Sequence, residues 1–243
     1  MIEKGLAVTK KHNQSGAALL IVLMAILLLS GLGLSLALTT SAETSIATNY
    51  RVGLEGFYAV DAGLERALQD LLVLADWDTV LVGGARSGFV DGAPSGERTL
   101  ADGSRIDLGQ VVNQANCGRN TSCTVGQMDA ITADRPWGSN NPRWQLYAHA
   151  PLSRLLSDVR LPWLYYAVVM VADDPLETDG DPMRDELVVS NPGAGILSVR
   201  AEAFGPRGAH HVVEATLARV DPLSDPSVER GPLVRLLSWR LIR

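Results

Sequence analysis

Residues 17–38 read AALLIVLMAILLLSGLGLSLAL, a run of twenty-two positions without a charged side chain. As a helix rising about 1.5 Å per residue, this segment is roughly 33 Å long, which is enough to cross the ~30 Å hydrocarbon core of a bilayer. A surface helix of a soluble protein normally keeps a polar face, and this segment has none. The segment therefore predicts a transmembrane helix.

The charges on either side of this span predict its orientation. All three lysines of the chain, Lys4, Lys10 and Lys11, precede it, and the first arginine after it is Arg51. Because basic residues beside a span stay on the cytoplasmic side, we expect a cytoplasmic amino terminus and a domain across the membrane after residue 38. The net charge of -6 gives no general attraction to nucleic acid, so no nucleic-acid partner is expected.

Beyond the span the apolar pattern becomes one-sided. No proline interrupts residues 43–74, and apolar side chains recur there every three or four residues, at Ile46, Tyr50, Leu54, Phe57, Val60, Leu64, Leu68, Leu71 and Leu74. This spacing predicts a single helix from about residue 17 to about residue 74 with an amphipathic second half. A cleaved secretory signal would have a shorter apolar region of about 7–15 residues, but an uncleaved signal anchor stays open.

The junction before the span and a stretch of the amphipathic half resemble the type IV pilin class. A short basic leader ends in Gly16, and residues 15–23, SGAALLIVL, resemble the amino-terminal region of PilX-type minor pilins. Residues 56–68, GFYAVDAGLERAL, resemble the second recurrent segment of those proteins, with Asp61 where glutamate is common. Residues 237–240, LSWR, resemble the end of some of them.

The resemblance implies a processing step and a division of the chain. Prepilin peptidase would cleave after Gly16, and the new amino-terminal residue, Ala17, would be methylated. Most pilins have glutamate as the fifth mature residue, where this chain has Ile21, and PilX-type and GspK-type subunits commonly lack that glutamate. The implied segments are a leader peptide (1–16), a transmembrane half-helix (17–38), an amphipathic half-helix (39–76) and a globular head (77–243).

The remaining residues predict a head built mainly from strands. Residues 78–110 contain seven glycines and predict a loop-rich connector with a hairpin centred on Asp102-Gly103. Strand-like patterns follow at residues 144–149, 164–171, 196–204, 209–220 and 233–242, with a turn at 205–208. We therefore predict an α+β fold of the type IV pilin kind, in which the amphipathic half-helix packs on an antiparallel β-sheet.

The two cysteines of the chain, Cys117 and Cys123, are separated by five residues. This spacing is too long for a thioredoxin-type redox motif. In an extracytoplasmic head a disulfide would be their natural state. Two free thiols, or half of a zinc site, stay open as alternatives, although no histidine is near in the sequence.

An acidic loop is the second local feature that could carry chemistry. Seven carboxylates occur within residues 173–186, around the turn Asp179-Gly180-Asp181. Clustered carboxylate oxygens suit Ca²⁺, which takes six to eight oxygen ligands, although the spacing does not match an EF-hand. The candidate calcium ligands are Asp173, Asp174, Glu177, Asp179, Asp181 and Asp185, and a solvated acidic loop is the alternative.

Function is indicated by the resemblance rather than by a catalytic motif. The sequence contains no GxSxG, HExxH, Walker A or GxGxxG motif, so we expect no enzyme. The resemblance implies a low-copy minor pilin that promotes pilus assembly in the tip or initiating complex, serves adhesion and motility, and moves from the bacterial inner membrane to the pilus tip. Its implied partners are the major pilin, other minor pilins, prepilin peptidase, inner-membrane lipid and a PilY-type tip adhesin. A GspK-like pseudopilin of type II secretion and a signal-anchored periplasmic binding domain stay open as alternatives.

Overall fold

The computed structural model describes residues 15–132, 141–155, 164–177, 179–185, 193–220 and 233–242. The leader residues 1–14 lie outside this set. The chain divides into two compact units, residues 1–51 and residues 52–243. The first helix, α1 (Ser15–Val73), contributes residues to both units.

In the first unit, the apolar residues of α1 are exposed all round the helix. Leu19 and Leu36, for example, keep 64% and 69% of their surface. By length and composition α1 is the one helix among the described residues that could cross a membrane, with a mean hydropathy of 2.7 in its most apolar window. Such a surface is stable in lipid or against other apolar helices, and not in water.

After the charge-free segment, α1 carries hydroxyl residues whose hydrogen bonds are made within the helix. The Thr39 hydroxyl donates to the carbonyl of Ser35 at 3.0 Å, and Thr44, Ser45 and Thr48 likewise donate to the carbonyl four residues earlier. A hydroxyl bonded in this way presents no unsatisfied donor to apolar surroundings. The hydroxyl groups of this stretch are therefore compatible with an apolar environment.

The second unit is built around a five-stranded antiparallel sheet whose strands lie in chain order. The strands are β3 (Gln145–Pro151), β4 (Tyr166–Asp173), β5 (Ile196–Phe204), β6 (His210–Val220) and β7 (Leu233–Leu241). Strand β4 is buried along its whole length, as a strand covered on both faces must be. The predicted helix, the predicted antiparallel sheet and hence the α+β fold class are confirmed.

The carboxy-terminal part of α1 packs on one face of this sheet. Its residues Ala59, Val60, Leu64, Ala67 and Leu71 are almost completely buried in a single core with that face of the strands. Alanines on the strands, including Ala148, Ala150, Ala167, Ala201 and Ala203, allow the helix to lie close to the sheet.

A second, smaller layer covers part of the opposite face. It contains the hairpin of β1 (Glu97–Thr99) and β2 (Arg105–Asp107) and the helix α3 (Leu108–Cys117). Leu100, Leu108 and Val111 of this layer form a core with Trp144, Tyr166, Val168 and Met170. Two further helices are α2 (Asp78–Leu81) and α4 (Val125–Thr132).

The three short helices α2, α3 and α4 were not expected from the sequence, whereas the hairpin at Asp102-Gly103 was. The predicted loop-rich connector over residues 78–110 therefore contains regular structure at both ends. Helix α3 has a recognisable start signal and stop signal. The Asp107 side chain accepts a hydrogen bond from the Gln110 amide at its beginning, and Gly118 ends it in the left-handed conformation. The caps agree with the helical spacing of the apolar residues Leu108, Val111, Val112 and Ala115, which pack into the core of this layer.

Candidate functional site

The residues expected at the processing site lie at the beginning of α1. Gly16 and Ala17 are in its first turn, and Ile21 follows one turn later with 66% of its surface exposed. A side chain on Gly16 would meet no atom within 4 Å of its Cβ. Cleavage after Gly16 and methylation of Ala17 stay predictions.

Three of the six expected calcium ligands come together at the end of β4. One oxygen from each of Asp173, Glu177 and Asp185 lies within 4.8 Å of the other two, and all three residues are buried. Three carboxylates at this distance repel one another when ionised, and burial strengthens the repulsion because the local dielectric is low. The arrangement therefore requires protons or a cation.

The pKa values of two members of this cluster reflect this environment. Burial, followed by the nearby charge of Glu177, raises the pKa of Asp173 far above its usual value. Burial raises the pKa of Asp185 to about 6, although the Gly195 amide donates to its Oδ1 at 2.7 Å. Asp173 and Asp185 therefore hold a proton more tightly than exposed carboxylates do, and a bound cation would oppose both shifts.

The other expected ligands lie outside this trio. Asp179 Oδ1 accepts a hydrogen bond from the Asp181 amide at 2.9 Å, and Asp181 Oδ1 accepts one from the Met183 amide at 3.2 Å. These carboxylates therefore stabilise a turn. Asp174 Oδ1 accepts a hydrogen bond from the Leu176 amide at 3.3 Å. The acidic loop was recognisable from its composition, but which carboxylates meet depends on how the chain folds back after the turn.

Backbone from the region after the loop holds Glu177 in place. A Cβ on Gly193 would lie 2.7 Å from the Glu177 Cβ and 2.8 Å from its amide nitrogen. No L side chain fits there without movement of the backbone, so glycine permits the close approach. The Asp185 amide donates to the Asp78 side chain at 2.7 Å, which ties the cluster to α2.

The two cysteines form a disulfide. Cys117 is the last residue of α3, Cys123 lies just before α4, and their Cα atoms are 6.0 Å apart. The bond closes the short loop between these two helices on the second layer of the head. The structure therefore agrees with the predicted disulfide, and it disagrees with two free thiols or half of a zinc site.

A network of charged side chains on the face opposite α1 was not anticipated. Arg200 binds Glu202 and Glu214 at 2.6 and 2.8 Å, His210 Nε2 lies 2.7 Å from Glu202, and Arg240 binds Glu214. Arg200 of β5, Glu214 of β6 and Arg240 of β7 pair directly across the sheet. Glu202 lies two residues after Arg200 on β5, and His210 is the first residue of β6. Alternation of polar and apolar residues in each strand was the signal that could have placed them on one face.

The fold is of the pilin-like α+β class, and the apolar helix supports anchoring in a membrane. Residues 15–65 match the family model described as PilX N-terminal. This match covers the charge-free segment, the hydroxyl-bearing stretch and the part of α1 that begins to pack on the sheet. Over these residues the chain is similar to PilX-type members of the type IV pilin family. No curated protein and no solved structure matches the chain.

Proposed function

We propose that this chain is a minor pilin, a low-copy structural subunit of the tip or initiating complex of a type IV pilus. One observation carries the proposal. The first part of α1 is apolar and exposed on every side, and this part lies within the segment that matches the PilX N-terminal family model. The helix would lie in the inner membrane before assembly. It would then exchange lipid for neighbouring apolar helices in the filament.

Ile21 supports a terminal position in the filament. In most pilins the glutamate at this place is thought to pair with the terminal ammonium of a neighbouring subunit. Ile21 has no acceptor for that charge, and a buried ammonium without a partner is costly. A run of such subunits would leave several buried ammonium groups without a partner, which is unfavourable. A single subunit at the tip has a neighbour on one side only, so fewer charges are left unpaired. We therefore propose a subunit that initiates pili and is rare in the shaft.

We propose the topology and processing that this role requires. The amino terminus would lie in the cytoplasm and the head in the periplasm, with cleavage after Gly16 and methylation of Ala17. The proposed partners are the major pilin, other minor pilins and a PilY-type adhesin at the tip. The role is structural rather than catalytic.

The experiment is to measure where the subunit lies and how much of it is present. Sheared pili from the native host are quantified by mass spectrometry and labelled with gold against a tag on the head. We expect a few copies per filament, at one end, and loss of pili in a deletion strain. Abundance comparable to that of the major subunit along the shaft would refute the tip role, and loss of secretion with normal pili would favour a pseudopilin. Subunits with the Ile21→Glu substitution should be incorporated along the shaft as well.

A calcium ion at Asp173, Glu177 and Asp185 is proposed as a structural element of the head. Three carboxylates offer six oxygens, which is the lower limit of the coordination number that Ca²⁺ takes. The ion would neutralise the repulsion within the buried trio. It would fix the loop after β4 to the region of Gly193 and α2, and it would take no part in a reaction.

A further inference from the structure

The two edges of the five-stranded sheet differ. At the β3 edge, the loop at residues 87–91 pairs with the strand. The Ser87 amide donates to the Tyr147 carbonyl, the His149 amide to the Phe89 carbonyl, and the Asp91 amide to the His149 carbonyl, at 2.7–3.1 Å. This edge is therefore closed. At the other edge, β7 pairs with β6, and no strand of the described residues lies on its outer side.

The geometry of the β6–β7 pair shows which backbone groups of β7 point outward. The Ile242 amide donates to the carbonyl of Val212, which lies directly opposite it. In an antiparallel ladder the residues that exchange hydrogen bonds alternate with residues that do not. The backbone N–H and C=O groups of Trp239 and Leu241 therefore point away from β6. These groups offer a ladder to an additional strand.

The side chains of β7 differ between its two faces. On the face toward α1, Trp239 packs edge-to-face against Phe57 with 5.6 Å between ring centroids, and Leu241 is 52% exposed. On the opposite face, Ser238 and Arg240 border a groove of about 430 Å³. Its floor includes hydroxyl groups at paired positions of three strands, those of Ser198, Thr216 and Ser238. A strand added to β7 would place apolar side chains beside Trp239 and polar ones beside this groove.

The charge of the edge indicates which polar side chains would fit. Residues 233–242 contain two arginines, Arg235 and Arg240, and no carboxylate. On the same face, the carboxylates of Glu202 and Glu214 are paired with Arg200 and Arg240, and a further carboxylate, Asp174, lines the groove. Arg235 lies apart from the groove lining, near the beginning of β7, where its exposed side chain adds a positive charge to the edge. A second copy of β7 would add further arginines to this edge, whereas a strand with glutamate or aspartate would neutralise it.

From this geometry we propose that the outer edge of β7 is a strand-addition site for an extended segment of a partner protein in which apolar residues alternate with carboxylates. The partner's backbone would bond to Trp239 and Leu241. Its apolar side chains would cover Trp239, and a carboxylate of the segment would meet Arg235. This mode of binding would also remove an exposed apolar edge, which otherwise promotes aggregation.

The test uses the full chain in detergent micelles and a fluorescent ten-residue peptide of alternating valine and glutamate. The matched probe has lysine in place of glutamate. Fluorescence anisotropy should give saturable binding of the glutamate peptide and at least roughly tenfold weaker binding of the lysine peptide at low salt. Arg235→Glu should abolish or reverse this preference. Arg119→Glu, which makes the same charge change at an exposed position far from β7 in sequence, should not.

A second pair of variants separates backbone pairing from side-chain contact. Leu241→Ala and Leu241→Pro both remove the leucine, but only proline also removes the outward N–H, and proline is tolerated at such edge positions. Leu241→Pro should weaken binding by a further factor of roughly five or more while both variants melt at similar temperatures. If the proline variant does not fold, the comparison of peptide binding by the wild type and by Arg235→Glu still tests the proposal.

Three outcomes would overturn the proposal. The first is no saturable binding of either peptide, and the second is equal binding of both peptides by the wild type and by Arg235→Glu. The third is self-association that Leu241→Pro abolishes and the glutamate peptide does not inhibit, because that result assigns the edge to a second copy of this chain.

Discussion

The imidazole ring of His211 occupies the space that a side chain on Gly56 would need. A Cβ at residue 56 would lie 2.1 Å from Cδ2 and 2.3 Å from Nε2 of His211. Helix α1 and strand β6 approach each other closely at this point, and glycine permits the approach although it weakens the helix. The ring of Tyr165 lies 6.5 Å from that of His211, and its hydroxyl donates to the Val52 carbonyl at 2.7 Å.

Gly56→Ala should therefore destabilise the head by about 1–3 kcal/mol, the usual cost of overpacking. Gly53→Ala is the matched control, because a Cβ at residue 53 meets no atom within 4 Å. The control should gain up to about 1 kcal/mol from helix propensity. Thermal unfolding of both variants of the full chain in detergent gives the comparison. The double variant Gly56→Ala/His211→Ala should be less destabilised than the sum of its two single variants, and simple additivity would show that the contact is not responsible.

The disulfide should contribute about 2 kcal/mol to the stability of the head on the chain-entropy model, because the loop that it closes is short. The variant Cys117→Ser/Cys123→Ser removes the bond while keeping residues of similar size. Denaturant unfolding of this variant should give a lower midpoint than the wild type under oxidising conditions. With a reductant present the two proteins should unfold at nearly the same midpoint. A difference that persists in reductant would indicate a packing role for the cysteines instead.

Calcium should raise the melting temperature of the full chain in detergent relative to a chelator. At a Ca²⁺ concentration a hundred times Kd, binding to the folded state adds about 2.7 kcal/mol. Asp185→Asn should abolish the shift, whereas Asp181→Asn should retain it, because Asp181 caps a turn outside the trio. Identical melting curves in millimolar Ca²⁺ and in chelator would leave an acidic cluster that is stabilised by protons alone.

The buried His149 should make the stability of the folded head depend on pH. Burial, together with the charge of Arg98, lowers the pKa of His149 to about 4, and its Nε2 lies 3.0 Å from the Ala93 carbonyl oxygen. The unfolded chain binds a proton at this residue below about pH 6.5, whereas the folded chain does not until about pH 4. Stability should therefore be complete above pH 6.5 and fall by about 3 kcal/mol between pH 6.5 and 4. His149→Gln cannot titrate, so unfolding measured against pH should lose this component. An unchanged pH profile would contradict the assignment.

The parts of the fold that were predictable have local signals. The apolar run at 17–38 and the three-to-four-residue spacing that follows specify α1, and alternation specifies the strands, because each pattern depends on neighbours within one element. Helix α3 was not predicted because the glycine-rich stretch before it indicated a loop, although Leu108, Val111, Val112 and Ala115 have helical spacing. Its caps, Asp107 and Gly118, were nevertheless visible in the sequence.

The candidate sites depend on contacts between residues that are distant in the sequence, which local patterns do not predict. Composition located the acidic loop, but only the packing of Gly193 against Glu177 explains why that carboxylate is buried with Asp173 and Asp185 rather than exposed. The ion network of Arg200 and Glu214 joins different strands, so it depends on the register between them. The role of Gly56 likewise depends on a residue far away in the sequence.

The central claim, that this chain is processed and assembled as a pilin, is tested most directly by the intact mass of the mature protein isolated from its native host. We expect a chain that begins at Ala17 and carries one methyl group on its terminal amine, and an unprocessed form when Gly16 is replaced by valine. A mature protein that still begins at residue 1, or that is cleaved beyond the apolar segment of α1, would contradict the claim.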